Sequence, residues 1–199
     1  GDGTRPRSHP CKPRSSRLAR PGLGLYKKDQ CQRYERKNCT KEIINVFKND
    51  KKILLCGNGG SAADAQHLAA ELSGRFYIDR PPLFAEALHV NTSYLTAVAN
   101  DYSFDEVYAR LVKAKGRPSD ILIGISTSGN SSNIIKAIYA AKEVGMISVG
   151  FTGKTGGKMV GLCDYLLNIP SQDAARIQEA HILIGHIICE IVERKLFPA

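Results

Sequence analysis

Five short apolar runs, each set between stretches of helical periodicity, limit what this chain can fold into. They are KKILLC (51–56), FAEALHV (84–90), DILIGIS (120–126), MISVGF (146–151) and DYLLNIP (164–170). All are too continuous for strands with one wet face, so they fit parallel strands covered on both sides. Helical patterns occupy 61–72, 92–114, 131–144 and about 171–196, and TKEIINVFKND ahead of the first run reads as a short amphipathic helix with Thr40 as its N-cap. Strands alternating with helices predict an α/β fold, a three-layer doubly wound sandwich with about five parallel strands. In such sheets ligands bind beyond the carboxyl ends of the strands, which directs attention to whatever follows ILLC, IGIS and VGF.

After the first run comes Gly57-Asn58-Gly59-Gly60-Ser61. Its glycines permit positive φ and close backbone approach, and Ser61 with Asp64 three residues on forms a capping-box pattern. No GxxxxGK[ST] is present, so this is not a P-loop. Gly57 through Ala62 match the loose dinucleotide pattern GxGxxA, but the acidic residue that normally ends the second strand is missing. After the third run comes STSGNSS, Ser126 to Ser132. Hydroxyls, free amides and the positive end of a helix dipole favour a phosphomonoester there, and a serine-rich cap turn is the alternative. The third glycine-rich loop, TGKTGGKM, reads as a turn with lysines at its rim and is assigned no chemistry.

His67 and Glu71 stand four apart and share a helical face. The last helix carries Gln178, Glu179, His181, His186 and Glu190 among Ile, Leu and Ala. At about 100° per residue, Gln178 and His186 lie about 80° apart around the axis, and Glu179 and His186 about 20°. Periodicity therefore leaves open which of them face the site, and the constellation reads as an acid–base or metal cluster.

The basic character belongs to one end. Of the formal net charge of +9, residues 1–38 contribute +8, with eleven Lys/Arg against three Asp/Glu. The near-neutral remainder gives no footprint for nucleic acid. Residues 1–39 are expected to be a disordered basic tail, non-native in origin, with 40–199 forming the folded domain. Six cysteines show no metal-ligand spacing, and several lie in apolar runs, which predicts buried free thiols in a reducing compartment. No run approaches the ~20 apolar residues of a membrane span. The N-terminal stretch lacks the apolar core of a secretion signal, so a cytoplasmic location is expected.

CGNGGSAADAQHLAAELSGR, VANDYSF, ISTSGNS, FTGKTGGKM and RIQEAHILIGHIICEIVE together resemble the phosphoheptose isomerase (sedoheptulose 7-phosphate isomerase) family of the sugar-isomerase, or SIS, domain superfamily. The resemblance runs in matching order from about Lys51 to Leu196. It implies a homotetrameric cytosolic isomerase that converts sedoheptulose 7-phosphate to D-glycero-D-manno-heptose 7-phosphate for lipopolysaccharide heptose biosynthesis. It also implies that Ser126, Thr127, Ser128 and Ser131 grip the phosphate, while Asn58, Gly59, Gly60, Asn100, Asp101, Glu71 and Gln178 line the sugar. One Zn2+ per subunit would be held by His67, Glu71, Gln178 and His186, with Glu71 and His186 as the catalytic acid–base pair. The family opens with a longer amphipathic helix that helps pack the tetramer, and residues 1–39 show no such pattern. Alternatives are a non-catalytic relative that binds a replication initiator protein, and another phosphosugar isomerase of the superfamily.

Overall fold

A computed structural model describes residues 37–198. The tail assignment for residues 1–36 lies outside the described residues. Residues 37–39 belong to the first helix, and Cys39 is fully buried, so the folded part begins no later than Lys37. That helix, α1, covers 37–48, which places Thr40 inside the helix and removes it as the N-cap.

The remaining elements are β1 (Ile53–Gly57), α2 (Gly60–Ser73), β2 (Ala85–Ala87), α3 (Thr92–Asp101), α4 (Val107–Lys115), β3 (Ile121–Ser126), α5 (Ser132–Val144), β4 (Ile147–Thr152), β5 (Tyr165–Asn168) and α6 (Ala174–Leu196). All five strands are parallel in the order β2-β1-β3-β4-β5. The expected three-layer α/β sandwich is present. Its strand order reverses between β1 and β3, and that switch point is where such a sheet opens a crevice.

Alternation along each strand divides the interior in two. Ile53 and Leu55 of β1, with Ile121 and Ile123 of β3, face Leu68, Leu72, Ile188 and Val192 of α2 and α6. Leu54, Cys56 and Leu122 point the other way, onto Val107, Tyr108, Ile134 and Ile138 of α4 and α5. Every residue of β1 and β3 is buried, as continuous apolar runs require. Cys39, Cys56 and Cys189 are buried, Cys56 and Cys189 as free thiols, and Cys163 is half-buried. Burial pushes the Cys56, Cys163 and Cys189 thiols up, so they stay neutral.

The expected helix over 92–114 is broken. α3 ends at Asp101, Ser103 is extended, and a 3-10 turn at Phe104–Glu106 leads into α4. Neither Gly nor Pro marks the break. Continuing α3 would place Asp105 seven residues beyond buried Val98 on the same stripe, so the chain re-aims to bury Val107, Tyr108, Leu111 and Val112. The Tyr94 hydroxyl donates to the Val107 carbonyl at 3.1 Å across the bend.

Candidate active site

The β1 and β3 loops meet at the switch point. Asn58 and Asn133 exchange two amide hydrogen bonds, each 2.9 Å, and so tie the glycine turn to the first turn of α5. Buried Tyr108 donates from its hydroxyl to the Gly57 carbonyl at 2.5 Å. Burial pushes that phenol up, which keeps the proton on the donor.

The glycine turn differs from the capping box. Gly59, at φ 54°, is the N-cap residue, and no side chain caps α2. Ser61 is buried within the first turn and donates its backbone N–H to Asn58. The positive φ lets the helix start two residues earlier than a Ser61 cap would allow. Asp64 is left with a buried carboxylate oxygen lacking a partner. Burial raises its pKa, and nearby His67 opposes that shift.

The serine loop is compact. Ser126 is buried at the end of β3, and its hydroxyl lies 3.0 Å from that of Ser131. Ser131 is the N-cap residue of α5 yet makes no side-chain cap bond. Asn133 Oδ1 takes the Ile134 amide at 2.9 Å, and Ser131 caps none of the first-turn amides of α5, a helix start that suits an anion. Thr127 is half-buried and Ser128 exposed, its hydroxyl accepting from the Asn130 amide at 3.1 Å.

The third glycine-rich loop has a structural part that its sequence did not disclose. Gly153 donates to the Thr127 carbonyl at 3.0 Å, and Lys158 donates its backbone N–H to Asn130 Oδ1 at 3.1 Å. Gly129, at φ 68°, comes so close that a Cβ there would meet the Gly156 carbonyl oxygen at 2.1 Å. This loop braces the serine loop from beneath.

Two turns along α2 from the glycine turn, three ligand-type atoms converge. His67 Nε2 lies 3.2 Å from Glu71 Oε1 and 3.0 Å from His186 Nε2 of α6. The three donor atoms all lie within 4.8 Å of one another. A single imidazole N–H serves one acceptor, so this convergence exceeds what a proton can satisfy. In a tetrahedral zinc site with bonds of about 2.1 Å, ligand atoms stand roughly 3.4 Å apart, so the donor set fits the metal. Gly185 permits the approach of α6 to α2, because a Cβ there would enter the Leu68 side chain at 2.4 Å.

Gln178 goes elsewhere. Its carboxamide lies over Gly60, where a Cβ would come within 2.5 Å of Nε2. Eight residues of α6 separate it from His186, about 12 Å of helix rise. One chain therefore brings His67, Glu71 and His186 together and assigns Gln178 to the glycine turn. The other polar residues of α6 also sort themselves. Glu179 pairs with Arg176 and Glu190 with Arg194 on the surface. His181 is buried, with Nε2 3.3 Å from the Thr152 carbonyl. Asn100 and Asp101 bond to each other at 2.9 Å on the exposed end of α3.

Sequence reasoning missed Asn133, Arg80 and Glu193. Arg80 and Glu193 are buried ionisable residues, paired at 3.2 Å behind the cluster. Their separation of 113 residues leaves no local signal.

The chain matches the SIS domain family model over residues 34–153. It is 58% identical over 156 residues to the phosphoheptose isomerase of Aneurinibacillus thermoaerophilus, covering 78% of this chain and 79% of that protein. The phosphoheptose isomerase of Clostridium acetobutylicum is 56% identical over 155 residues, with 78% and 79% covered. Among solved structures, phosphoheptose isomerase GmhA from Neisseria gonorrhoeae superposes with a TM-score of 0.74 at 43% identity, covering 86% of this chain and 96% of that one.

Proposed function

The chain belongs to the phosphoheptose isomerase family of SIS-domain proteins, and from that premise we propose that it interconverts sedoheptulose 7-phosphate and D-glycero-D-manno-heptose 7-phosphate in heptose biosynthesis. The convergence of His67, Glu71 and His186 at 3.0–3.2 Å, beside a crevice with the Ser126 and Ser131 hydroxyls at the N-terminus of α5, carries this reading.

The 7-phosphate sits on Ser126, Thr127, Ser128 and Ser131, at the positive end of α5. The sugar chain runs past Asn58, Gly59, Gly60 and Gln178 toward Glu71 and His186. Glu71 removes a proton from C1 of the ketose, leaving an enediol(ate), and returns a proton to C2. His186 moves a proton from the C1 oxygen to the C2 oxygen, so the carbonyl passes from C2 to C1 with no net change of atoms. His67, Glu71 and His186 would hold a zinc ion, which when bound polarises the carbonyl as a Lewis acid. With Glu71 Oε1 turned to His67, the other carboxylate oxygen takes the base role.

The apolar surface that a single chain leaves exposed supports an assembly of several copies. Leu183, Ile187 and Ile191 form an open apolar stripe on α6, at 60%, 46% and 39% exposure. Ile187 and Ile191 also line a groove of 580 Å³, together with Ile44, Ile184, Ile188 and the lysines of α1. A homotetramer covers such a stripe, and a neighbouring copy is the route by which a Gln178 could join the metal set. No helix among the described residues is long and apolar enough to cross a membrane, and the cytoplasm is the proposed location.

Turnover of sedoheptulose 7-phosphate with zinc supplied is the direct test. The unmutated chain should form the aldose and Glu71→Gln should not. No product from the unmutated chain overturns the assignment.

A further inference from the structure

Glu193 lies on α6 two turns beyond His186 and is 2% exposed. Its carboxylate accepts from the Tyr77 amide at 2.7 Å, the Phe76 amide at 3.2 Å and Arg80 Nε at 3.2 Å. Burial alone would push its carboxyl up, but the amides and Arg80 outweigh burial and hold it below its ordinary value. Arg80, 9% exposed, spends its other donors on the end of α2. Nη1 donates to the carbonyls of Leu72 at 2.8 Å, Gly74 at 3.2 Å and Pro81 at 3.1 Å. Nη2 donates to the carbonyl of Glu71 itself at 2.9 Å.

This network reaches the site along two arms. One is the Arg80 bond to the Glu71 backbone, which sets the last turn of α2 against α6. The other runs from Glu193 through the Phe76 amide to the Phe76 ring, 5.7 Å from the His186 ring. A pair serving stability alone could cap any helix end, and apolar residues of like volume often stabilise a fold as well as a buried ion pair does. Here the carbonyl held is that of the base, and the ring held packs on its acid–base partner. We propose that the Arg80–Glu193 pair is a positioning device that sets the separation of Glu71 and His186. The inference rests on the reading of those two side chains as the reacting and metal-holding groups.

The test uses the full chain, with sedoheptulose 7-phosphate kinetics under added zinc and a calorimetric zinc titration of metal-stripped protein. Arg80→Met is expected to lower kcat about 10- to 100-fold with KM within about twofold, and to weaken zinc about tenfold. Arg80→Lys keeps a cation with fewer directed donors and should recover part of both. The double variant Arg80→Met/Glu193→Leu leaves no unpaired buried charge. It should retain a cooperative unfolding transition and still show the kcat loss. Unchanged kcat and zinc affinity in a folded variant overturn the proposal, as does a loss carried by KM alone. If the unmutated chain turns over no sedoheptulose 7-phosphate, the reaction assignment falls and the titration alone reads the geometry. A tenfold loss of zinc affinity in Arg80→Met then sustains positioning, and an unchanged affinity ends it.

Discussion

The loops around the β1/β3 crevice hold their side chains by bonds within one chain, whereas the His67–Glu71–His186 cluster points its donors at one another and stays partly open to water. Asn58 and Asn133 satisfy each other, Ser126 meets Ser131, and Gly129 is seated on Gly156. His67, by contrast, has half its side chain exposed and offers one nitrogen to two partners. A site whose polar groups are already paired is preorganised for a ligand that changes little during the reaction, as a phosphate does. A site with converging, under-satisfied donors suits a cation and a moving proton. The difference teaches a division of labour: binding belongs to the crevice loops, and chemistry to the α2–α6 seam.

Breaking the seam should have the largest effect. His186→Asn is expected to lower kcat about 10²- to 10⁴-fold with little change in KM, measured by aldose formation at saturating substrate. A comparable rise in KM instead would place His186 in binding and blur the division.

Breaking the crevice should act on affinity. Ser126→Ala and Ser131→Ala each remove a hydroxyl from a charged ligand, and each should raise KM about 10-fold or more with kcat largely kept. Inorganic phosphate inhibition weakened in parallel would sharpen the assignment, and a pure kcat loss would contradict it.

The brace beneath the serine loop can be tested through stability. Gly129→Ala puts a Cβ at positive φ against a carbonyl oxygen and should cost roughly 1–3 kcal/mol, seen as a lower urea midpoint. An unchanged midpoint would mean the loop relaxes freely and is not held from below.

The smallest expected effect comes from His181, the α6 residue whose ring meets the Thr152 carbonyl at the end of β4. Burial lowers its pKa from 6.5, partly opposed by the bond to the Thr152 carbonyl. The unfolded chain therefore binds a proton at higher pH than the folded one, and stability falls as pH drops below about 6.5. Urea titrations at stepped pH should show His181→Gln flattening that decline by a fraction of its depth. An identical slope in both proteins would remove His181 as a contributor.

Much of this was legible before any coordinates. The continuous apolar runs demanded strands buried on both faces, which holds in full for β1 and β3 while edge strands β2 and β5 keep half-buried residues, and glycine or serine loops after β1 and β3 pointed to the carboxyl edge. The HxxxE spacing put His67 and Glu71 on one face. The α3–α4 break was not legible, since no Gly or Pro marks it and the turn follows from where Val107 and Tyr108 find partners. The capping box at Ser61 failed because the left-handed Gly59 starts the helix early. The role of TGKTGGKM was hidden because its close contacts lie on Gly129 and Thr127, more than twenty residues away.

Local pattern determined the layers, the loops and the types of side chain available, because hydrophobic periodicity, glycine φ freedom and i,i+4 geometry act over a few residues. Which α6 residue meets His67 was beyond local pattern: the family resemblance implied both Gln178 and His186, and the tertiary structure brings His186 to His67. Gln178, Glu179, His181, His186 and Glu190 all fit the helix, and the close approach at Gly185 selects His186 while sending Gln178 to Gly60. The Arg80–Glu193 pair behind the seam is the same kind of fact. Its partners are brought together by packing α6 on α2, and packing is a property of surfaces that sequence neighbours do not share.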